Sequence, residues 1–422
     1  MRVLLVSMSL KGGAGGSAYR LHRGLRQMGI ESRVLVKYRY QTDDDVVIVR
    51  DTRLVRMLRR LGWLVRQDLE NLPLALYQNR DPAKLFSTQW VPDGVARMVA
   101  GYNPDIVNLR WVGNLLRIES LRRLRRPLVW TLSDMWPFTG GCYIPQECDR
   151  YQQSCGACPH LNSRRENDLS RWVWRRKSKA WRNLDLTIVT PSQWLARCAR
   201  SSALFKDRRI EVIPSAVDTE NYKPIDRTTA RRVLGLPQDK KIALFVAWRN
   251  HVHKGFHLLV PALKSLAESG WKGKLELVVL GFPRPADLPD TGIETRFLGR
   301  LDDTISKSIV YSAADVFVAP STQDNFANTV LEAIACGTPT VAFTIGGMPD
   351  ILDHQGNGYL ARDFDIDDLA RGIDWVLTDS NRHERLSHNA REKATREYTL
   401  QGYAERYSTL FAELNAQSRA TV

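Results

Sequence analysis

The sequence predicts an α/β protein of two doubly wound, Rossmann-like domains, each built on a parallel sheet. Short apolar runs alternate with stretches of helical periodicity along most of the 422 residues, the pattern of successive strand–helix–strand units. The alternation restarts after a polar, proline-bearing stretch at 214–237, which reads as a linker. The chain is also long enough for two separate cores.

The first half opens with a buried strand at 3–8, followed by Lys11-Gly12-Gly13-Ala14-Gly15-Gly16 as a loop. Ala18, Leu21, Leu25 and Met28 then fall at helical spacing, and Gly29 ends that helix before a strand at 34–36. Further strands are expected at 105–109, 128–131, 186–189 and 210–213, while 41–100 carries the least pattern. In the second half strands are expected at 242–247, 275–280, 295–298, 316–319 and 340–343, with helices at 257–268, 304–313 and 329–335. This organisation gives a first domain at 1–215 and a second at 216–395. A C-terminal segment at 396–422, helical over 400–414, is free to pack back on the first domain or to stay with the second.

Hydrophobic residues make up 43% and charged residues 25%, which excludes wholesale disorder. The net charge of +15 is unevenly spread: residues 1–200 carry 34 basic and 17 acidic side chains, residues 201–422 carry 27 and 29. The first half is therefore expected to meet an anion: a phosphorylated ligand, a membrane surface or nucleic acid. No apolar run is long enough for a spanning helix. The apolar start at 3–6 is too short for a signal-peptide core, so a cytoplasmic setting with reduced thiols is expected.

Two stretches of the second half carry chemistry. Asp324 and Glu332 stand eight residues apart around the start of a helix, where free N–H groups and the dipole favour phosphate. If all eight residues were helical, the two acids would lie ~12 Å apart, about the span of a sugar diphosphate with its ribose. The plain alternative is a capping acid and a solvated glutamate. Arg249 and Lys254 follow the strand at 242–247, and cations at the carboxyl end of a parallel strand are placed to clamp phosphates. Two basic residues in a loop are otherwise commonly just solvated. The glycine loop at 12–16 matches neither G-x-G-x-x-G nor a P-loop, and reads as a turn or an anion site.

In the first half, Cys142, Cys148, Cys155 and Cys158 fall within 17 residues. A structural zinc, labile disulfides and unliganded thiols are the open readings. Cys198 and Cys336 lie in helical patterns and read as packing residues. Basic runs at 53–66, 122–126 and 171–182, the last interleaved with Trp172, Trp174 and Trp181, suit either an anionic membrane surface or solvated helices with a buried aromatic face.

Together these pieces resemble the retaining glycosyltransferases of family 4. Asp324-x7-Glu332, followed by Ala333-Ile334-Ala335-Cys336-Gly337-Thr338-Pro339, is similar to that family's E-x7-E motif, and Arg249-x4-Lys254-Gly255 to its donor-phosphate pair. Residues 12–16 correspond to its N-terminal glycine loop, and Ile213-Pro214-Ser215-Ala216-Val217-Asp218 to the entry into its second domain. The likeness is strong over 242–360, good over 1–30 and 127–160, and poor over 40–100. Residues 130–142 look most like the exopolysaccharide and colanic-acid branch. Asp324 replaces the usual Glu, Ser215 a common Asn, and Ser133 a usual His next to the reacting sugar.

The resemblance implies the GT-B fold, two Rossmann-like domains facing a central cleft. It also implies transfer of a sugar from a UDP- or GDP-sugar to a glycan or lipid-linked acceptor, with retention and no cofactor for the transfer itself. Arg249 and Lys254 would stabilise the leaving diphosphate, Glu332 would hold the ribose, and Asp324 the donor sugar. Gly15 and Gly16, the segment Asn325, Phe326, Ala327, Asn328, Thr329 and Val330, and Ser133 with Asp134 would line the donor site. The implied partners are the nucleotide sugar, the acceptor and an anionic membrane carrying it, placing the chain peripherally on the inner face. Two rival readings remain: a nucleotide-sugar binder without transfer, suggested by Ser133, and a basic nucleic-acid-binding protein. The second leaves Asp324, Glu332, Arg249 and Lys254 without a purpose, so no nucleic-acid partner is expected.

Overall fold

The computed structural model describes residues 1–40, 43–52, 55–57, 66–247, 252–285 and 288–420. Two compact units result: Met1–Ile213 with Tyr403–Val422, and Pro214–Gly402.

The first unit is built on seven strands: β1 (Arg2–Ser9), β2 (Glu31–Tyr38), β3 (Val46–Ile48), β4 (Ile106–Leu109), β5 (Leu128–Thr131), β6 (Leu186–Thr190) and β7 (Ile210–Val212). Their order across the sheet is β3-β2-β1-β4-β5-β6-β7, and every neighbouring pair is parallel. β4, β5 and β6 are buried at every position, as parallel strands covered on both faces must be. The edge strand β3 has only three residues, too few for a periodic signal.

The second unit holds β8 (Lys241–Val246), β9 (Leu275–Leu280), β10 (Glu294–Phe297), β11 (Val316–Ala319), β12 (Thr340–Phe343) and β13 (Gly358–Ala361). They lie in the order β10-β9-β8-β11-β12-β13, again all parallel. Both units are thus doubly wound, with crossovers reversing direction beside β1 in one and β8 in the other.

Two local expectations are corrected, and a third is decided between its two readings. Residues 12–16 are not a loop, because the helix Gly12–Gln27 starts directly behind Lys11. It packs so close to the end of β1 that a Cβ on Gly15 would lie 2.6 Å from the Ser9 carbonyl oxygen. Gly is required there for approach, not for a turn.

The stretch 214–237 is not a plain linker, since it contains the helix Arg227–Leu234, capped by Asp226 and closed by Gly235. That helix is anchored by the buried Arg231, whose Nη2 lies 2.5 Å from Asp315.

The helix Leu169–Trp181 fits the second reading of 171–182, a solvated helix with a buried aromatic face: Arg175, Lys179 and Arg182 are exposed and Trp181 is buried. Trp181 packs edge-on against Trp130 at 5.2 Å, and Lys177 is buried with its ammonium 3.4 Å from the Trp136 ring centre. Trp172 is exposed, yet Arg176 stacks on it and is tied to Glu119. Of the run at 53–66, residues 53–54 and 58–65 lie outside the described residues.

From Tyr403 onward the last helix, Leu400–Ala420, belongs to the first unit. Tyr403 shares a hydrogen bond with Ser17 (2.8 Å) and Tyr407 one with Thr131 (2.8 Å). Arg209 grips Glu413 through two bonds of 2.7 and 2.9 Å.

Candidate functional site

Topology assembles the site of the second unit. The chain runs outward from β8 through β9 to β10, then returns to place β11 on the other side of β8. The connections leaving β8 and β11 therefore start out in opposite directions at the carboxyl ends of the strands, the position where open α/β sheets bind ligands. Lys254 ends a single helical turn in the first connection and Asp324 lies in the second. They meet there: Lys254 Nζ donates to Asp324 Oδ2 at 2.7 Å. The two connections are also joined through the backbone, with Thr322 N–H donating to the His253 carbonyl at 2.8 Å.

Gly255 completes this join. Its φ of +76° caps the helix Phe256–Leu266, and a Cβ would sit 1.7 Å from the Pro320 carbonyl oxygen. Both the left-handed backbone and the backbone clash exclude a side chain. Gly255→Ala is expected to destabilise the chain by at least ~2 kcal/mol and to part Lys254 from Asp324, measurable as a lower urea midpoint.

Glu332 lies in the second turn of the helix Asn328–Ala335. Only this acid is helical. Residues 324–327 precede the helix, so the spacing of one continuous helix does not apply to the pair. The buried Tyr311 donates to Glu332 Oε2 at 2.9 Å; burial raises its phenol, which keeps it a proton donor. The helix is preceded by Ala327, which has no side chain to cap it, leaving its start suited to an anion. Phe326, Ala327 and Val330 are buried, whereas Asn325, Asn328 and Thr329 are half-buried. The first three can reach a ligand only through their backbone. Arg249 lies among 248–251, outside the described residues.

The remaining expected residues belong to the first unit. Gly15 is buried against β1, and Gly16 has only the Arg20 guanidinium nearby, 3.5 Å from a Cβ placed on it. Ser133 and Asp134 follow β5 and line one wall of a recess with Trp130 and Trp136. Asp134 Oδ1 accepts from Trp136 N–H at 2.9 Å. Burial pushes its carboxyl up to about 7, opposed by that N–H and by the Lys177 charge.

An unfolded Asp ionises near 3.9. Between roughly pH 4 and 7 the unfolded chain loses this proton while the folded chain keeps it, so stability falls as pH rises through that window and levels off above it. Asp134→Asn is expected to flatten that slope, worth roughly 4 kcal/mol at most, in urea unfolding followed across the window.

All four clustered cysteines are free thiols. Among the described residues the one group of three or more His, Cys, Asp or Glu with ligand atoms within 4.8 Å of one another is His22, Asp43 and Asp45, so Cys142, Cys148, Cys155 and Cys158 do not gather as a zinc site requires. Cys142 and Cys158 pack with Phe86, Leu74 and Leu161, while Cys155 joins the main core. Burial pushes Cys155 up to about 12 and Cys158 up to about 11.

Sequence reasoning missed Tyr311 and Arg110. Tyr311 reads as a core aromatic on a helix, and nothing in the sequence ties it to Glu332. Arg110 had a faint signal, being a charge at the carboxyl end of an apolar run.

The comparisons with known proteins can be set beside this geometry. Residues 11–221 match the family model described as Glycosyltransferase Family 4, and residues 226–393 the one described as Glycosyl transferases group 1. A D-inositol 3-phosphate glycosyltransferase of Saccharomonospora viridis is 34% identical over 203 residues, 44% of this chain and 46% of that protein. A protein of the same name from Corynebacterium aurimucosum is 30% identical over 245 residues, 55% of this chain and 57% of that one. The chain spans about half the length of the curated relatives it matches.

Among solved structures, the sucrose-phosphate synthase of Thermosynechococcus elongatus superposes with a TM-score of 0.71 at 18% identity, over 99% of this chain and 100% of that one. Anabaena HepE in complex with UDP and glucose gives 0.66 at 17% identity, over 98% and 100%. At these identities the likeness is one of fold, and it is the GT-B fold. No helix among the described residues is long and apolar enough to cross a membrane.

Proposed function

Because the chain belongs to glycosyltransferase family 4, we propose that it transfers a sugar from a nucleotide diphosphate donor to an acceptor hydroxyl with retention of configuration. The observation that carries this reading is the Lys254–Asp324 pair at the carboxyl ends of β8 and β11, with the Tyr311-bound Glu332 on the helix that follows. In this reading Glu332 accepts from the donor ribose and Asp324 from the sugar hydroxyls. Lys254, with Arg249, stabilises the charge growing on the leaving diphosphate, a task that fixed cations perform without a metal. The bond from the anomeric carbon to the phosphate oxygen breaks, and its electron pair leaves with the diphosphate. The acceptor oxygen bonds to the same face of that carbon, and its proton passes to the departing phosphate.

A UDP-sugar is the favoured donor over a GDP-sugar, supported by the HepE structures in complex with UDP and UDP-glucose. For the acceptor we propose an anionic glycan or lipid-linked saccharide of polysaccharide assembly. The excess of 34 basic over 17 acidic residues in 1–200 supports the charge, as do relatives named for an inositol phosphate. The purified chain tests this. A UDP- or GDP-sugar should raise its melting temperature, since a ligand that binds only the folded state stabilises it, and the same sugar should be hydrolysed slowly alone and transferred when lipid-linked saccharides are added. A folded chain that does none of these with any nucleotide sugar overturns the reading.

A further inference from the structure

The first unit buries a guanidinium that its own residues do not satisfy. Arg110 follows β4, the strand beside β1 at which the crossovers of this sheet reverse, so it stands where a doubly wound sheet binds a ligand. It is 3% exposed. Its Nε donates to Asn108 Oδ1 at 2.7 Å and its Nη1 to the Tyr403 hydroxyl at 2.9 Å, while the Tyr407 ring lies 4.9 Å from Cζ. Asn108 cannot turn away, because its amide nitrogen is spent on the Val129 carbonyl and the Thr131 hydroxyl. Nη2 is buried and makes no hydrogen bond.

The groups that hold this cation are an amide and the two phenols of Tyr403 and Tyr407. Among the described residues no carboxylate lies within ion-pair distance of it, unlike the buried Arg231, which is paired with Asp315. Burying a cation is costly without an anion beside it, and a bidentate fork with one arm unused has the geometry of an oxyanion receptor. Arg110 also lines a shallow surface recess whose other walls include Trp111, Ser133, Asp134 and Tyr143. Asn108 holds Nε in place and Tyr403 of the last helix holds Nη1. They leave Nη2 and the charge unexplained.

We propose that this recess is an oxyanion subsite in which Arg110 receives the phosphate or carboxylate of the acceptor. The proposal deepens the glycosyltransferase reading and rests on it for the identity of the ligand, but not for the binding of an anion. The recess is walled by tryptophans, so binding is read directly as a change in their fluorescence when the full chain is titrated with inorganic phosphate or with glucuronate at constant ionic strength.

Saturable binding is expected, weakened tenfold or more by Arg110→Gln. Should Arg110→Gln fail to fold, Ser133→Glu places a like charge in the recess without touching the Arg110–Tyr403 bond, and it should abolish binding while far-UV circular dichroism stays unchanged. Preference for phosphate assigns a phosphorylated acceptor, and preference for glucuronate an acidic sugar; either supports the subsite. No saturable binding of either anion to the wild-type chain, or equal binding in a folded variant, overturns it. UDP affinity is measured on the same samples: if anion binding persists while UDP never binds, it is the donor-transfer reading that has failed.

Discussion

Replacing Glu332 by Gln is expected to weaken UDP-sugar binding by roughly 10- to 100-fold, because hydrogen bonds to a charged group contribute about 1.5–3 kcal/mol each and the ribose offers two hydroxyls. The substitution is chosen for what it keeps. Tyr311 donates to Glu332 from a buried position, and an amide oxygen can still accept that bond. Glu332→Ala leaves the phenol without its acceptor and adds about 1–3 kcal/mol of instability to the loss of affinity. Calorimetric titration with UDP, paired with melting temperatures, separates the two: Gln should lose affinity with little change in stability, Ala should lose both. Tyr311→Phe, which frees the carboxylate to move, should produce a smaller loss of affinity than either. A folded Glu332→Gln chain that binds UDP as tightly as wild type removes Glu332 from the donor site.

Removing the Lys254 ammonium is expected to slow transfer by about 10²–10³-fold, the usual cost of losing one preorganised group that stabilises a developing anion. Magnitudes decide between this role and a structural one. Lys254 and Asp324 are 30% and 14% exposed, and a partly exposed pair contributes no more than about 1 kcal/mol to folding. Lys254→Ala should therefore shift the melting temperature little while kcat collapses, and Lys254→Arg should restore part of the rate because the charge returns. Asp324→Asn should also impair transfer. Because the two side chains touch, the double variant should lose less than the sum of the single losses. Additive losses, or a loss of stability as large as the loss of rate, would mean that the pair only ties the β8 and β11 connections together.

How much of this was legible beforehand differs from residue to residue. The central strands β1, β4, β5, β6, β8, β9 and β11 were readable because strands covered on both faces are continuous apolar runs. β3 and β13 were not: β3 is a three-residue edge strand, and β13 opens with glycine behind a turn. The helix at 12–27 was mistaken for a loop at its start, because five residues rich in glycine carry poor helix propensity. Close packing of Gly15 on Ser9 overrides that propensity. The tryptophan-rich helix at 169–181 left two readings open for a related reason. Periodicity shows that one face is aromatic but not what covers it, and Trp130 and Trp136 cover it here.

The sequence by itself determined the α/β class and the residue types of the candidate site, since strand runs, Lys254, Asp324 and Glu332 are local patterns readable in one dimension. Only the tertiary structure decided which of them meet. Lys254 and Asp324 are 70 residues apart and touch because β8 and β11 are neighbours in the sheet. Arg110 and Tyr403 are 293 apart and touch because the last helix returns to the first unit. The cysteines show the converse, being close in sequence yet not gathered as a metal site requires once packing sends Cys155 into one core and Cys142 with Cys158 into another. Spacing along a chain sets distances only within one regular element; between elements, sheet order and core packing set them.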